Sequence, residues 1–149
     1  QGYIISLRDY PNNHAASFNS SLIISGLQPQ QIVRVKFLKF QLYYSSRYPG
    51  CNHDFLQITG SQSHAFCSDP HYQPVVDEWY NFTATDSQLK FQFVTNVHPT
   101  TAKGFYLQYK GKSTLFWARM KLSAGFHLPT WHSHRMINFT DFKIHKFFL

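Results

Sequence analysis

Apolar and polar residues alternate in several short stretches of the first three quarters of this 149-residue chain. The longest stretch is 32–42, in which the alternation slips by one residue after Phe37. Period-two alternation is typical of a strand with one buried face, and the slip predicts a β-bulge near Leu38 and Lys39. Shorter alternating stretches cover 89–95 and 105–109, and two short apolar runs, 3–5 and 22–24, indicate further strands. Since Pro, Gly and Asn separate them, the pattern predicts an all-β sandwich without a long helix before residue 111.

The two cysteines, Cys51 and Cys67, bracket a short apolar strand and a polar connection at 59–64. Cysteines this close, on either side of a strand and its turn, favour one local disulfide across a hairpin. In the chain-entropy model, closing a loop of about 15 residues contributes roughly 3 kcal/mol to stability. Two free buried thiols are the alternative, because a free cysteine behaves as a small hydrophobic residue.

Composition favours an extracellular protein. Charged residues make up only 14% of the chain and aromatic residues 18%, and no apolar run approaches the ~20 residues of a membrane span. Three Asn-x-Ser/Thr sequons, at Asn19, Asn81 and Asn138, are candidate glycosylation sites and would mark exposed positions. Because the chain begins with Gln1, we expect a processed N-terminus or the edge of a fragment.

Five short motifs, in this order and spacing, resemble those of the CUB domain. They lie at 2–6 with 10–13, 33–42, 51–58, 93–96 and 104–109. The resemblance covers residues 1–110 and implies an antiparallel jelly-roll-like β-sandwich, secreted, non-enzymatic and used for binding. Most CUB domains carry a further disulfide, whose second-strand cysteine falls at Ser20 here and whose partner is also missing. The resemblance therefore implies the single bridge Cys51–Cys67.

Many CUB domains bind Ca²⁺ in the loops at one end, through one Glu and two Asp. The resemblance places these positions at Tyr43, Asp54 and Asn96. Ca²⁺ prefers several hard oxygen ligands, usually including carboxylates, and only Asp54 supplies one here. We therefore expect no cofactor and no calcium, and interpret Asp54 as a loop carboxylate that accepts backbone hydrogen bonds.

Residues 111–149 form a basic, aromatic C-terminal extension, with six Lys/Arg and one Asp/Glu against eight and six in residues 1–110. Ser113 is a candidate cap for a short helix over 115–124. The cations are candidate binding residues for sulfated glycans or other acidic surfaces: Arg119, Lys121, Arg135, Lys143 and Lys146. The alternative is an extension that packs on the sandwich or is poorly ordered.

No catalytic or nucleotide-binding motif occurs: neither Gly-x-Ser-x-Gly nor a glycine-rich phosphate loop is present. His132 and His134 are closely spaced, but no fixed framework supports a metal site there. Nucleic acid is not an expected partner, since charge without a recognised motif is insufficient. The sequence predicts a secreted, non-catalytic module that binds an extracellular protein or sulfated glycan, of adhesin or matrix type. The alternative is a fragment or isoform of a larger modular protease or receptor.

Overall fold

The computed structural model describes residues 1–6, 19–96, 102–111, 117–122 and 147–148, the last two ranges as backbone only. These residues form ten strands. They are β1 (Gly2–Ile5), β2 (Asn19–Ser25), β3 (Ile32–Gln41), β4 (Phe55–Thr59), β5 (Ser63–Phe66), β6 (Trp79–Thr83), β7 (Gln88–Val94), β8 (Gly104–Gly111), β9 (Trp117–Leu122) and β10 (Phe147–Phe148). Among them, none forms a helix long and apolar enough to cross a membrane.

The strands form two five-stranded sheets. The first sheet has the order β10-β1-β8-β3-β6, and the second has the order β5-β4-β7-β2-β9. Neighbouring strands are antiparallel, except that β1 and β10 are parallel. The predicted all-β sandwich is therefore confirmed.

Alternate residues of each long strand face the core between the sheets. In β3 the buried side chains are those of Val33, Val35, Phe37 and Phe40. Between Phe37 and Lys39 the pairing of β3 with β8 shifts register, which confirms the predicted bulge. The bulge returns the apolar residues to the inner face after the phase slip, so Phe40 packs edge-on against Phe37 at 5.3 Å between ring centroids.

The helix predicted over 115–124 is wrong at 117–122, where the chain forms β9 and pairs with β2 in six register positions. Ala, Arg, Met, Lys and Leu favour helices intrinsically, but an unpaired sheet edge offers backbone hydrogen bonds that outweigh this preference. Residues 112–116 and 123–124 lie outside the described residues. The division into 1–110 and 111–149 stays a prediction, although β9 and β10 each extend a sheet.

Candidate functional site

The disulfide Cys51–Cys67 closes the β4–β5 hairpin at one end of the sandwich, with 5.4 Å between the two Cα atoms. Cys51 lies four residues before β4, and Cys67 directly follows β5. The predicted pairing is therefore present, and no free cysteine remains. The bridge joins two irregular segments, 42–54 and 67–78, that together form what we call the loop end.

Asp69 holds the two segments of the loop end together. Its carboxylate is buried and accepts the backbone N–H of Gly50 at 2.7 Å and that of His71 at 2.8 Å. These hydrogen bonds, the one from Gly50 foremost, lower the pKa of Asp69, and the nearby His71 contributes in the same direction. Sequence reasoning overlooked Asp69. Asp followed by Pro70 indicates a local turn, but nothing in the sequence indicates the bond to Gly50.

Asp54 connects the loop after β3 to the end of β7. It is buried, accepting the backbone N–H of Tyr43 at 3.3 Å through one oxygen and that of Asn96 at 2.9 Å through the other. The structure thus brings together the three positions that the resemblance assigned to calcium ligands. It places Asp54 in the role of a carboxylate that orders backbone amides.

Among the described residues, the side chains at the three resembling positions offer one carboxylate for a Ca²⁺ ion, that of Asp54. Tyr43 and Asn96 supply no carboxylate, and the Asn96 amide lies 3.1 Å from Nδ1 of His53. Within the described part of the chain, no three His, Cys, Asp or Glu side chains gather into a metal-binding group. Ca²⁺ takes six to eight oxygen ligands. The one carboxylate at these positions already accepts two backbone N–H groups, so it leaves most of that ligand set to be supplied by other atoms.

His53 is enclosed by aromatic rings. Its imidazole contacts Tyr43 and Tyr48 at centroid distances of 5.4 and 5.8 Å, both in edge-to-face geometry. Nε2 of His53 is buried and has no hydrogen-bond partner in the part of the chain that the structure describes. The His53 ring therefore packs between Tyr43 and Tyr48.

Three tyrosines are exposed at the loop end: Tyr44, Tyr48 and Tyr72, with exposed fractions of 39%, 53% and 51%. The guanidinium of Arg47 lies 5.7 Å from the Tyr48 ring. Tyrosine and arginine are enriched at protein–protein contacts, because each combines a large contact area with hydrogen-bonding capacity. The loop end thus presents adhesive side chains on a backbone fixed by Asp54, Asp69 and the disulfide.

The candidate binding cations of the extension are only partly described. The register places Arg119 opposite Ile23 and Lys121 opposite Ser21 of β2. Both residues therefore lie on β9, at one edge of the second sheet. Arg135, Lys143 and Lys146 lie outside the described residues, as do His132, His134 and the sequon at Asn138.

The other two sequons are at exposed positions. Asn19 begins β2 and its side chain accepts a hydrogen bond from Gln92 at 3.2 Å, while Asn81 lies in β6. Whether they carry sugar stays a prediction.

The fold matches solved CUB domains, so the chain has a CUB-like fold. The CUB1-EGF-CUB2 region of human MASP-1/3 matches with a TM-score of 0.58 and 18% identity, over 74% of this chain and 41% of that one. The CUB2 domain of MASP-1 bound to Ca²⁺ matches with a TM-score of 0.57 and 22% identity, over 72% of this chain and 89% of that one. The CUB1-EGF-CUB2 domains of rat MASP-1 match with a TM-score of 0.58 and 22% identity, over 74% of this chain and 39% of that one.

The chain thus spans about two fifths of the length of the two three-module structures. No protein-family model matches the sequence, and no curated protein is similar to it in sequence.

Proposed function

We propose that this protein is a secreted, non-catalytic module that binds an extracellular protein through its loop end. One observation carries the proposal: Asp54, Asp69 and the disulfide fix two loops on which Tyr44, Tyr48 and Tyr72 are exposed. A preorganised loop loses little conformational freedom on binding, and rigid aromatic side chains supply contact area at low entropic cost. The disulfide supports an extracellular setting, because such bonds persist in oxidising compartments.

The same features support an adhesin or matrix role, in which the domain holds a protein or a sulfated glycan outside the cell. We propose that it does so without calcium, unlike the Ca²⁺-bound CUB2 domain of MASP-1. The alternative is that the chain belongs to a larger modular protease or receptor and positions a partner there. The three-module structures that share its fold support this alternative. A longer secreted form carrying a protease or EGF module would decide in its favour.

The test is a binding screen of the full chain against displayed extracellular proteins, followed by surface variants. Tyr48→Ala and Tyr72→Ala are expected to weaken binding of a specific partner at least tenfold, since exposed aromatic anchors commonly contribute more than ~1.4 kcal/mol each. Ile32→Ala is the matched control, because Ile32 is 54% exposed, as Tyr48 is at 53%, but lies at the start of β3. Equal losses in all three variants, or none in the tyrosine variants, would contradict the proposal.

A further inference from the structure

The outer face of the first sheet carries a cluster of cations around one indole. Trp79 lies on β6, and its ring centroid is 5.0 Å from the Arg34 guanidinium, 5.3 Å from Nζ of Lys36 and 4.8 Å from Nζ of Lys110. Arg34 and Lys36 lie on β3, and Lys110 on β8. Because β3 separates β8 from β6 in the sheet, the side chains of Lys110 and Trp79 meet above β3.

Register explains why these side chains share a face. Lys36 is directly opposite Trp79, and Arg34 is directly opposite Lys110. Residues opposite one another on adjacent strands project from the same side of a sheet. Val33 and Val35, which alternate with the two β3 cations, are fully buried, so the cations face outward. We call Arg34, Lys36, Trp79 and Lys110 the indole–cation cluster.

The cluster carries three positive charges, and the ion pairs of the described residues give one of them a carboxylate partner. All three charges lie within roughly a Debye length of one another, ~10 Å at 0.1 M salt, so they repel with little screening. Among the ion pairs of the described residues, Lys36 has a carboxylate partner, Asp77, at 3.7 Å. Arg34 and Lys110 are exposed and form a like-charged register pair, which is unfavourable unless an anion or a ring compensates it. The Trp79 ring compensates part of the repulsion through cation–π attraction.

We infer that the indole–cation cluster is a binding site for a sulfated polysaccharide. This inference rests on the proposed extracellular role and assigns the glycan to a surface other than the loop end. The three charges lie on two neighbouring strands, about 4.8 Å apart, and are spread along an open sheet face. This arrangement suits a linear polyanion better than a small anion, which needs convergent donors in a pocket. Because lysine is depleted at protein–protein contacts, Lys36 and Lys110 also favour a glycan over a protein at this face. The indole holds the cations in place and so reduces the ordering that binding requires.

The experiment is salt elution of the full chain from immobilised heparin. Arg34→Gln with Lys110→Gln is expected to elute at clearly lower salt, with the slope of log affinity against log salt reduced by roughly one to two. Lys90→Gln with Lys103→Gln is the matched control, because it removes the same charge from exposed positions outside the cluster. It is expected to elute near the parent protein. Trp79→Leu leaves the charge unchanged and is expected to weaken retention, because the cations lose their common support.

Equal shifts for the two double variants would show that only net charge matters and would overturn the inference, as would no shift in either. Polyglutamate or desulfated heparin competing as well as heparin would overturn the assignment to a sulfated glycan. Thermal unfolding of each variant shows whether it is folded, and only folded variants are compared in the heparin elution. Tyr48→Ala with Tyr72→Ala is expected to leave heparin retention unchanged. Heparin elution of the cluster variants therefore tests the glycan site, and protein binding by the tyrosine variants tests the loop end, so either proposal can fail without the other.

Discussion

Ser6 and Ser20 are both buried serines, but their hydroxyl groups are in opposite situations. Oγ of Ser6 accepts the backbone N–H of Phe105 at 3.0 Å, whereas Oγ of Ser20 has no hydrogen-bond partner among the described residues. The resemblance to CUB domains places Ser20 where most of them have a disulfide-bonded cysteine, a group that needs no hydrogen bond. A buried hydroxyl without a partner costs about 1–3 kcal/mol.

We therefore expect the two serine-to-alanine substitutions to have opposite signs. Ser20→Ala should raise the free energy of unfolding by about 1 kcal/mol, and Ser6→Ala should lower it by a similar amount because the Phe105 amide loses its partner. Urea unfolding measures both. Ser20→Ala keeps the Asn19 sequon intact, since the middle residue of a sequon is variable. Destabilisation by both variants would show that the Ser20 hydroxyl is satisfied in solution.

Asp69 makes the stability of the loop end depend on pH. Its pKa is lower in the folded protein than in the unfolded chain, so its contribution is fully present above the unfolded pKa, about 3.9, and is lost as the pH falls through the folded pKa. The free energy of unfolding of the parent protein, measured in urea, should fall on acidification below about pH 4. Asp69→Asn should be less stable at pH 7 and should show a smaller acid dependence in the same window.

Glu78→Gln is the control for this acid dependence, because Glu78 is an exposed carboxylate on the same connection. It should retain the acid dependence of the parent protein. Identical pH profiles for the parent protein and Asp69→Asn would mean that Asp69 does not couple folding to pH.

At the scale of elements, β9 protects the outer edge of β2. Its six register pairs occupy backbone groups that would otherwise form an open edge, which is a template for association with other chains. A chain ending at residue 111 should be less stable than the full chain by at least about 1 kcal/mol, or roughly 3 °C in Tm, and should self-associate. Urea unfolding and sedimentation measure the two effects.

The comparison for this truncation is a chain ending at Leu122, which keeps β9 and loses the two register pairs of β10. It should remain monomeric at concentrations where the shorter chain associates. Should both truncations behave as the full chain does, the pairing of β9 with β2 would have no energetic role. The same result would permit any loss of heparin retention in the shortest chain to be attributed to the missing extension alone.

Sequence patterns predicted the long strands because each alternates over a buried face, and they placed the bulge because one residue breaks the alternation. They did not predict β6, in which Phe82 is the one buried residue and Trp79 faces outward. Nor did they predict β9, since its composition favours a helix and the β2 edge that recruits it is distant in sequence. The site divides in the same way: Asp54 and Asn96 belong to motifs, whereas the Asp69–Gly50 hydrogen bond depends on the meeting of two loops and the indole–cation cluster depends on strand neighbours.

At the scale of the whole molecule, the fold places two different chemistries on two surfaces. The loop end is aromatic and held by two carboxylates and a disulfide, whereas the indole–cation cluster is basic and lies on a regular sheet. Because the sheets fix the cluster and the loop hydrogen bonds fix the loop end, each can bind without reorganising the other. Together, the two proposals predict that a glycan and a protein would bind at separate surfaces, and two linked sites of this kind would raise avidity.

The role of calcium is a test of the loop end as a whole. A site with a Kd of about 10 μM would stabilise the protein by about 3.7 kcal/mol at ~5 mM Ca²⁺, which would raise Tm by several degrees. We expect Tm to change by less than about 1 °C between ~5 mM CaCl₂ and excess chelator, because Asp54 is the one carboxylate at the three resembling positions.

Tyr43→Glu with Asn96→Asp restores a carboxylate at each of those positions, whose backbone amides already meet at Asp54. This variant should be destabilised without metal, since three carboxylates repel one another, and should recover stability when Ca²⁺ is added. A parent protein that gains several degrees in Ca²⁺ would show that the described donor set is not the whole site. Its loop end would then need metal before it could present Tyr48 and Tyr72. If the parent protein is unresponsive and the variant responds, two side chains separate a calcium-ordered loop end from one ordered by hydrogen bonds and a disulfide.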